Sequence, residues 1–219
     1  MYKLQNELMF KDFSGEGSNF HPEVLSAIKN VNREVFIPDA LKHKAFSVDA
    51  LPLGSEQWIS SPLTVAKMSN YLMGYDVKDA LSKPDNVLEV GLGSGYQACV
   101  LSKLIRRVFS IERIETLYNE ARTRIARLNI MNVNVRLGDG NLGWSNFAPF
   151  DRILLSACAT KIPPVLFSQL AEGGILVAPL QKGNKQVISR FIKKDSILKE
   201  EELEACEFVP LLSGVAKSF

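Results

Sequence analysis

The chain has 219 residues, 46% of them hydrophobic and 23% charged, enough apolar mass for one generous globular domain with an appendage. Its 26 basic and 24 acidic residues nearly cancel, so no field of either sign advertises a nucleic acid or a membrane surface as partner. Cys99, Cys158 and Cys206 lie far apart with no CxxC pair and no Cys/His cluster, which argues against a metal site and for small buried side chains in a reducing compartment.

The first twenty residues mix charges with Ser and Gly and lack the apolar h-region of an export signal, and no stretch approaches the ~18 apolar residues of a membrane span. A cytoplasmic protein is expected. Pro22 opens a short amphipathic helix carrying Val24, Leu25, Ile28 and Val31. Pro38 breaks the chain after Phe36-Ile37, and Pro52 and Gly54 introduce an irregular stretch over 51–61. The next helix runs over Pro62–Met73, capped by Ser61, with Pro62 at the first position where its missing N–H costs nothing.

From Asn86 the pattern becomes regular. A mainly apolar strand, Asn86–Val90, ends at glycines; a helix over 96–105 and a strand over 108–112 follow. The next helix places Ile114, Leu117, Tyr118, Ala121, Ile125 and Leu128 on one face, with Arg122, Arg124 and Arg127 on its wet side. Strands over Val133–Leu137, 151–155 and 175–179 come next, with a helix over 163–170 before the last. This alternation predicts an α/β fold: a Rossmann-like open parallel sheet with helices on both faces and an N-terminal helical appendage. The alternating stretch 186–192 and a strand candidate over 204–209 predict an antiparallel C-terminal edge.

The chemistry concentrates in Glu89-Val90-Gly91-Leu92-Gly93-Ser94-Gly95-Tyr96. Glycines between a strand and a helix let a ligand approach the backbone, and the helix start offers N–H groups to an anion. A dinucleotide fingerprint needs its third glycine where Tyr96 stands, which argues against NAD. The loop suits a ligand built from an amino acid and a nucleoside without pyrophosphate, although a plain tight turn reads the same way. Glu112 ends the next strand, where a carboxylate accepts from ribose hydroxyls, and Asp139-Gly140 ends the third. Glu89, Glu112 and Asp139 thus close three successive strands, on the rim where open sheets bind ligands.

These stretches, with Ser110-Ile111-Glu112-Arg113, Gly138-Asp139-Gly140 and Ala148-Pro149-Phe150-Asp151, resemble the protein-L-isoaspartate O-methyltransferases. The resemblance extends through Arg33-Glu34-Val35-Phe36-Ile37-Pro38, Leu51-Pro52-Leu53-Gly54, Ile59-Ser60-Ser61-Pro62, Leu170-Ala171-Glu172-Gly173-Gly174 and Phe208-Val209-Pro210-Leu211. The glycine loop is common to many methyltransferases; the segment before Pro62 and the Phe-Val-Pro-Leu tail are far more specific. It implies a repair enzyme that transfers a methyl group from S-adenosylmethionine to the free α-carboxylate of L-isoaspartyl residues in damaged proteins. It implies cofactor contacts at Glu89, Gly91, Gly93, Ser94, Glu112, Arg113, Asp139 and Gly140, and a catalytic Ser60 beside the reacting carboxylate. Gln57, Ile59, Ser61, Val209 and Leu211 would bind substrate. Without the resemblance, Ser60 reads first as the start of the capping turn before Pro62.

A single domain is expected, with 1–61 as appendage, 62–180 as cofactor-binding core and 181–219 as edge strands and substrate-cleft tail, acting as a monomer on isoaspartyl proteins. Two positions depart from the family's usual Gly-x-Gly-Gln-Thr-Ile-Ser: Glu56 replaces a glycine and Trp58 a small hydroxylated residue. An inward Glu56 would repel an anionic substrate, and Trp58 would narrow the cleft or pack outward. Those departures keep two alternatives open, a related methyltransferase of a small molecule and a non-catalytic S-adenosylmethionine-binding module.

Overall fold

The computed structural model describes residues 2–13, 20–78, 80–81 and 83–217; the Ser/Gly-bearing stretch 14–19 lies outside them. Nine strands and six α-helices follow in chain order among the described residues. They are α1 (Tyr2–Phe13), α2 (Pro22–Lys29), β1 (Leu51–Gly54), β2 (Gln57–Ile59), α3 (Pro62–Met73), β3 (Asn86–Val90), α4 (Tyr96–Leu101) and β4 (Arg107–Glu112). Then come α5 (Glu115–Arg127), β5 (Val133–Leu137), β6 (Phe150–Leu155), α6 (Pro164–Ser168), β7 (Leu170–Lys182), β8 (Lys185–Lys194) and β9 (Ile197–Cys206).

The main sheet has the order β5-β4-β3-β6-β7-β8-β9. Its first five strands pair in parallel, and β7–β8–β9 form an antiparallel edge. The expected Rossmann-like fold is therefore present. Alternation along β3 sends Val87 into a core shared with α2, α3 and α4, while Leu88 and Val90 enter a second core with Phe109, Ile153 and Leu166. Glu89 shares the face of Val87, so it points beneath the glycine loop instead of along the rim.

Several boundaries differ from the sequence reading, each for a physical reason. The helix after the glycine loop is regular only to Leu101, because tight turns at 103–105 take over its last carbonyls. β9 lies at Ile197–Cys206 and not at 204–209; its run of Lys and Glu has no apolar period, and only pairing with β8 defines it. The irregular stretch 51–61 contains a hairpin, Leu51↔Ile59, turned by Ser55 (φ 50°) and Glu56 (φ 55°), two left-handed residues without glycine. Ahead of them all lies α1, which periodicity does not announce. Its buried Asn6 docks it by donating to the carbonyls of Lys29 (3.0 Å) and Val31 (3.3 Å) after α2.

Candidate active site

The chain leaves β3 toward β4 and β5 on one side of the sheet and returns through β6 on the other. That reversal opens a crevice beyond the carboxyl ends of β3, β4 and β6. It measures about 870 Å³ and opens to solvent. Gly91, Gly93 and Ser94 after β3, Glu112 and Arg113 after β4, and Gly140 after β5 line it, together with Ser156 and Ala157 after β6.

Two further segments wall the crevice. Gln57, Trp58, Ile59 and Ser60 come from β2 and the link to α3; Val209, Pro210, Leu211 and Leu212 come from the tail. The tail is stitched in place by Cys158, whose N–H donates to the Val209 carbonyl (2.7 Å) and whose carbonyl accepts from the Leu211 N–H (2.7 Å). Residues separated by some 150 positions thus share one cavity.

Five of the six N–H groups from Gly91 to Tyr96 are engaged within the protein. Gly91 and Leu92 donate to the Ile111 carbonyl, Gly95 to that of Leu92, and Tyr96 to the Ser94 hydroxyl. Gly93 donates to Glu112 Oε2 at 2.8 Å, so the protein's own carboxylate occupies the anion's place. Glu112 Oε1 also accepts from Arg113 (2.8 Å) and Ile114 (2.9 Å). Three of its roughly four acceptor positions are filled, leaving one on Oε2 for a hydroxyl.

Glu89 is fully buried and does not line the crevice; Oε2 accepts a hydrogen bond from the Ser110 hydroxyl, while Oε1 has no partner. Burial pushes its carboxyl up to about 8; the Ser110 bond opposes this and the charge of Glu112 adds to it. Asp139 also stands outside the lining. Its Oδ1 accepts from the Asn141 N–H (2.8 Å) and its Oδ2 from the Gly214 N–H (2.7 Å), which straps the tail to the end of β5. Ser61 caps α3 by accepting from the Thr64 N–H at 3.0 Å and does not reach the lining. The remaining residues expected at the site, Ser60, Gly91, Gly93, Ser94, Glu112, Arg113, Gly140, Gln57, Ile59, Val209 and Leu211, all meet there.

Gly93 has φ 54°, and a Cβ there would find only Leu53 at 3.9 Å, so the position leaves space for a ligand beside the backbone. Gly140 is a glycine for a different reason: a Cβ would come 2.3 Å from Val90 Cγ1. An open approach at Gly93 and the remaining acceptor of Glu112 together fit an amino-acid nucleoside such as S-adenosylmethionine. The sequence reading missed Ser156 and Ala157. The signal was available, since Leu155 ends the strand beside the reversal. Among the described residues no cluster of three His, Cys, Asp or Glu side chains is arranged to hold a metal, and no helix is long and apolar enough to cross a membrane.

Residues 4–216 match the family described as Protein-L-isoaspartate(D-aspartate) O-methyltransferase (PCMT). The chain belongs to that family. It is 51% identical over 216 residues to the Protein-L-isoaspartate O-methyltransferase of Helicobacter pylori strain J99, covering 98% of this chain and all of that one. Identity to the like-named protein of Shewanella sp. strain ANA-3 is 44% over 194 residues, covering 89% and 88% of the two. A solved protein-L-isoaspartate O-methyltransferase superposes with TM-score 0.79 at 25% identity over 96% of this chain; the chain spans 65% of that protein's length. A Plasmodium falciparum structure, titled as a putative family member in complex with S-adenosyl-L-homocysteine, superposes with TM-score 0.81 at 22% identity, covering 96% and 98%. The match takes in both walls of the crevice, since it spans β2, Ser60 and the tail through Leu212.

Proposed function

We propose that this S-adenosylmethionine-dependent protein carboxyl O-methyltransferase methylates the α-carboxylate of L-isoaspartyl residues in damaged proteins, and that it does so in the crevice between Gly91–Ser94 and Ser60. The observation that carries the reading is the juxtaposition, in one cavity, of a glycine loop and a serine contributed by a different segment. When bound, the cofactor supplies a methyl group on a positively charged sulfonium. Glu112 holds the nucleoside end through its remaining acceptor, Gly93 gives backbone-close approach, and Arg113 and Ser94 add polar contacts. Glu89 sits beneath the loop as a carboxyl held largely neutral at pH 7, and Asp139 acts by strapping the tail.

The acceptor needs no general base, because a carboxylate is already ionised well above its usual pKa near ~4. The protein's work is therefore positioning and exclusion of water. The Ser60 hydroxyl holds one carboxylate oxygen so that the other faces the methyl carbon. Val209 and Leu211 cover the apolar part of the substrate backbone. The chain acts as one domain, as a cytoplasmic monomer, on protein and peptide substrates.

Methyl transfer from labelled cofactor to matched peptides tests this: incorporation is expected with isoaspartate and not with aspartate. A second reading rests on Trp58, which lines the crevice where the family usually has a small residue. Cofactor binding without incorporation into any isoaspartyl peptide would move the assignment to a small carboxylic acid as acceptor, or to a binding module without turnover.

A further inference from the structure

Arg33 opens a tight 3-10 turn at Arg33–Phe36, is wholly buried, and does not line the crevice. Its guanidinium is directed at backbone carbonyls. Nη1 donates to Ala45 (2.9 Å) and Ser47 (3.2 Å), and Nη2 donates to Asp49 (2.9 Å) and Ser60 (3.3 Å). One planar group therefore ties the 45–49 segment to the residue proposed to align the substrate. Its Cζ also lies 5.8 Å from the ring centroid of Tyr96, which lines the crevice.

Ser60 needs such a tie. It sits between β2, whose last residue Ile59 is held by Leu51, and the Ser61 cap of α3. The strand pairing fixes the chain before it and the cap fixes the chain after it, and the peptide plane between Ser60 and Ser61 is left to Arg33. Because the peptide is planar and side-chain rotamers follow the backbone, holding that carbonyl sets the direction in which the hydroxyl projects.

We propose that Arg33 is a positioning residue for methyl transfer, holding the Ser60 carbonyl from the buried side so that the Ser60 hydroxyl meets the substrate carboxylate in a fixed direction. The inference rests on the reading of Ser60 given above. A lysine cannot replace the guanidinium, since a single ammonium cannot span four carbonyls in one plane. Arg152 provides the comparison. It too is wholly buried and donates to backbone carbonyls, those of Met73, Leu81 and Asp151, but near the end of β6 opposite the crevice.

The test is a kinetic cycle on an isoaspartyl peptide with wild type, Arg33→Lys, Ser60→Ala and the double variant, with S-adenosylhomocysteine affinity measured for each. Arg33→Lys is expected to lower kcat roughly tenfold in the wild-type background, as small misplacements of aligned groups do, and less than about twofold in Ser60→Ala. Cofactor-product affinity should stay within about twofold. Arg152→Lys should lower the melting temperature and leave kcat unchanged. Equal losses in both backgrounds, or a folded Arg33→Lys with wild-type kcat, would overturn the role of Arg33 alone. A wild-type kcat in Ser60→Ala would overturn the Ser60 reading and this inference with it. If Arg33→Lys does not fold, the wild-type protein decides by nuclear magnetic resonance: the slowly exchanging Nη protons of Arg33 should shift when the peptide joins the S-adenosylhomocysteine complex. No shift would overturn the proposal.

Discussion

Glu112, at the end of β4, accepts the N–H of Gly93, three residues past the end of β3, at 2.8 Å. The bond joins neighbouring parallel strands at their carboxyl ends, and it makes one carboxylate both the brace of the glycine loop and the acceptor left for a nucleoside hydroxyl.

Removing that carboxylate should damage binding in two ways at once. Glu112→Ala frees three backbone N–H groups and deletes the remaining acceptor, so S-adenosylhomocysteine affinity should fall by on the order of 1.5–3 kcal/mol. Calorimetry at matched pH measures this directly. Wild-type affinity in a folded variant would show that the ligand does not use this rim of the sheet.

Ser60→Ala should lower turnover on an isoaspartyl peptide roughly ten- to a hundredfold, the usual effect of deleting one aligned hydrogen bond at a reacting group. Cofactor affinity should hardly change. Because Ser61 and not Ser60 caps α3, thermal stability should change little, and a melting curve alongside the kinetics separates the two effects.

The hairpin substitutions should act differently from each other. Trp58 lines the crevice while remaining 56% exposed, so Trp58→Thr should raise kcat/KM most for peptides with bulky residues beside the isoaspartate. Glu56 stands exposed at the turn and off the lining, which removes the expected electrostatic clash with substrate. Its left-handed φ of 55° instead predicts that Glu56→Gly stabilises the fold by about 1 kcal/mol without changing substrate range. Equal kinetic gains from both substitutions would contradict this division of roles.

Stability should also carry the signature of Glu89. Burial pushes its carboxyl to about 8 in the folded chain, against an ordinary value of 4.5. Between those values the folded state keeps a proton that the unfolded state has released. The contribution is therefore complete below about pH 4.5 and is lost as pH rises through about 8. Urea midpoints for wild type should fall from about pH 5.5 to about pH 8 more steeply than those of Glu89→Gln, which has no proton to lose. Parallel profiles would show that Glu89 titrates normally.

The sequence by itself determined the cofactor half of this protein. Strand β3, the glycine loop and Glu112 are encoded within 27 residues, where apolar runs ending at Gly and acid are set by local chemistry and the parallel sheet follows from alternation. Helix α3 was equally legible, because Ser61 marks its start by a cap hydrogen bond and Pro62 by its fixed φ, and neither needs a distant partner. The tertiary structure alone decided what the acids do. Glu89, Glu112 and Asp139 look equivalent as strand-end carboxylates, yet one is buried beneath the loop, one braces it, and one holds Gly214 from the tail. The face of β3 that the helices cover and the path of the tail separate them, and neither is written in local sequence. The same holds for the substrate wall. Ser60 and Leu211 share a crevice only because Arg33 fixes one segment from inside the core and Cys158 pairs with the other, contacts between residues far apart in the chain whose free energy exists only once the fold has closed.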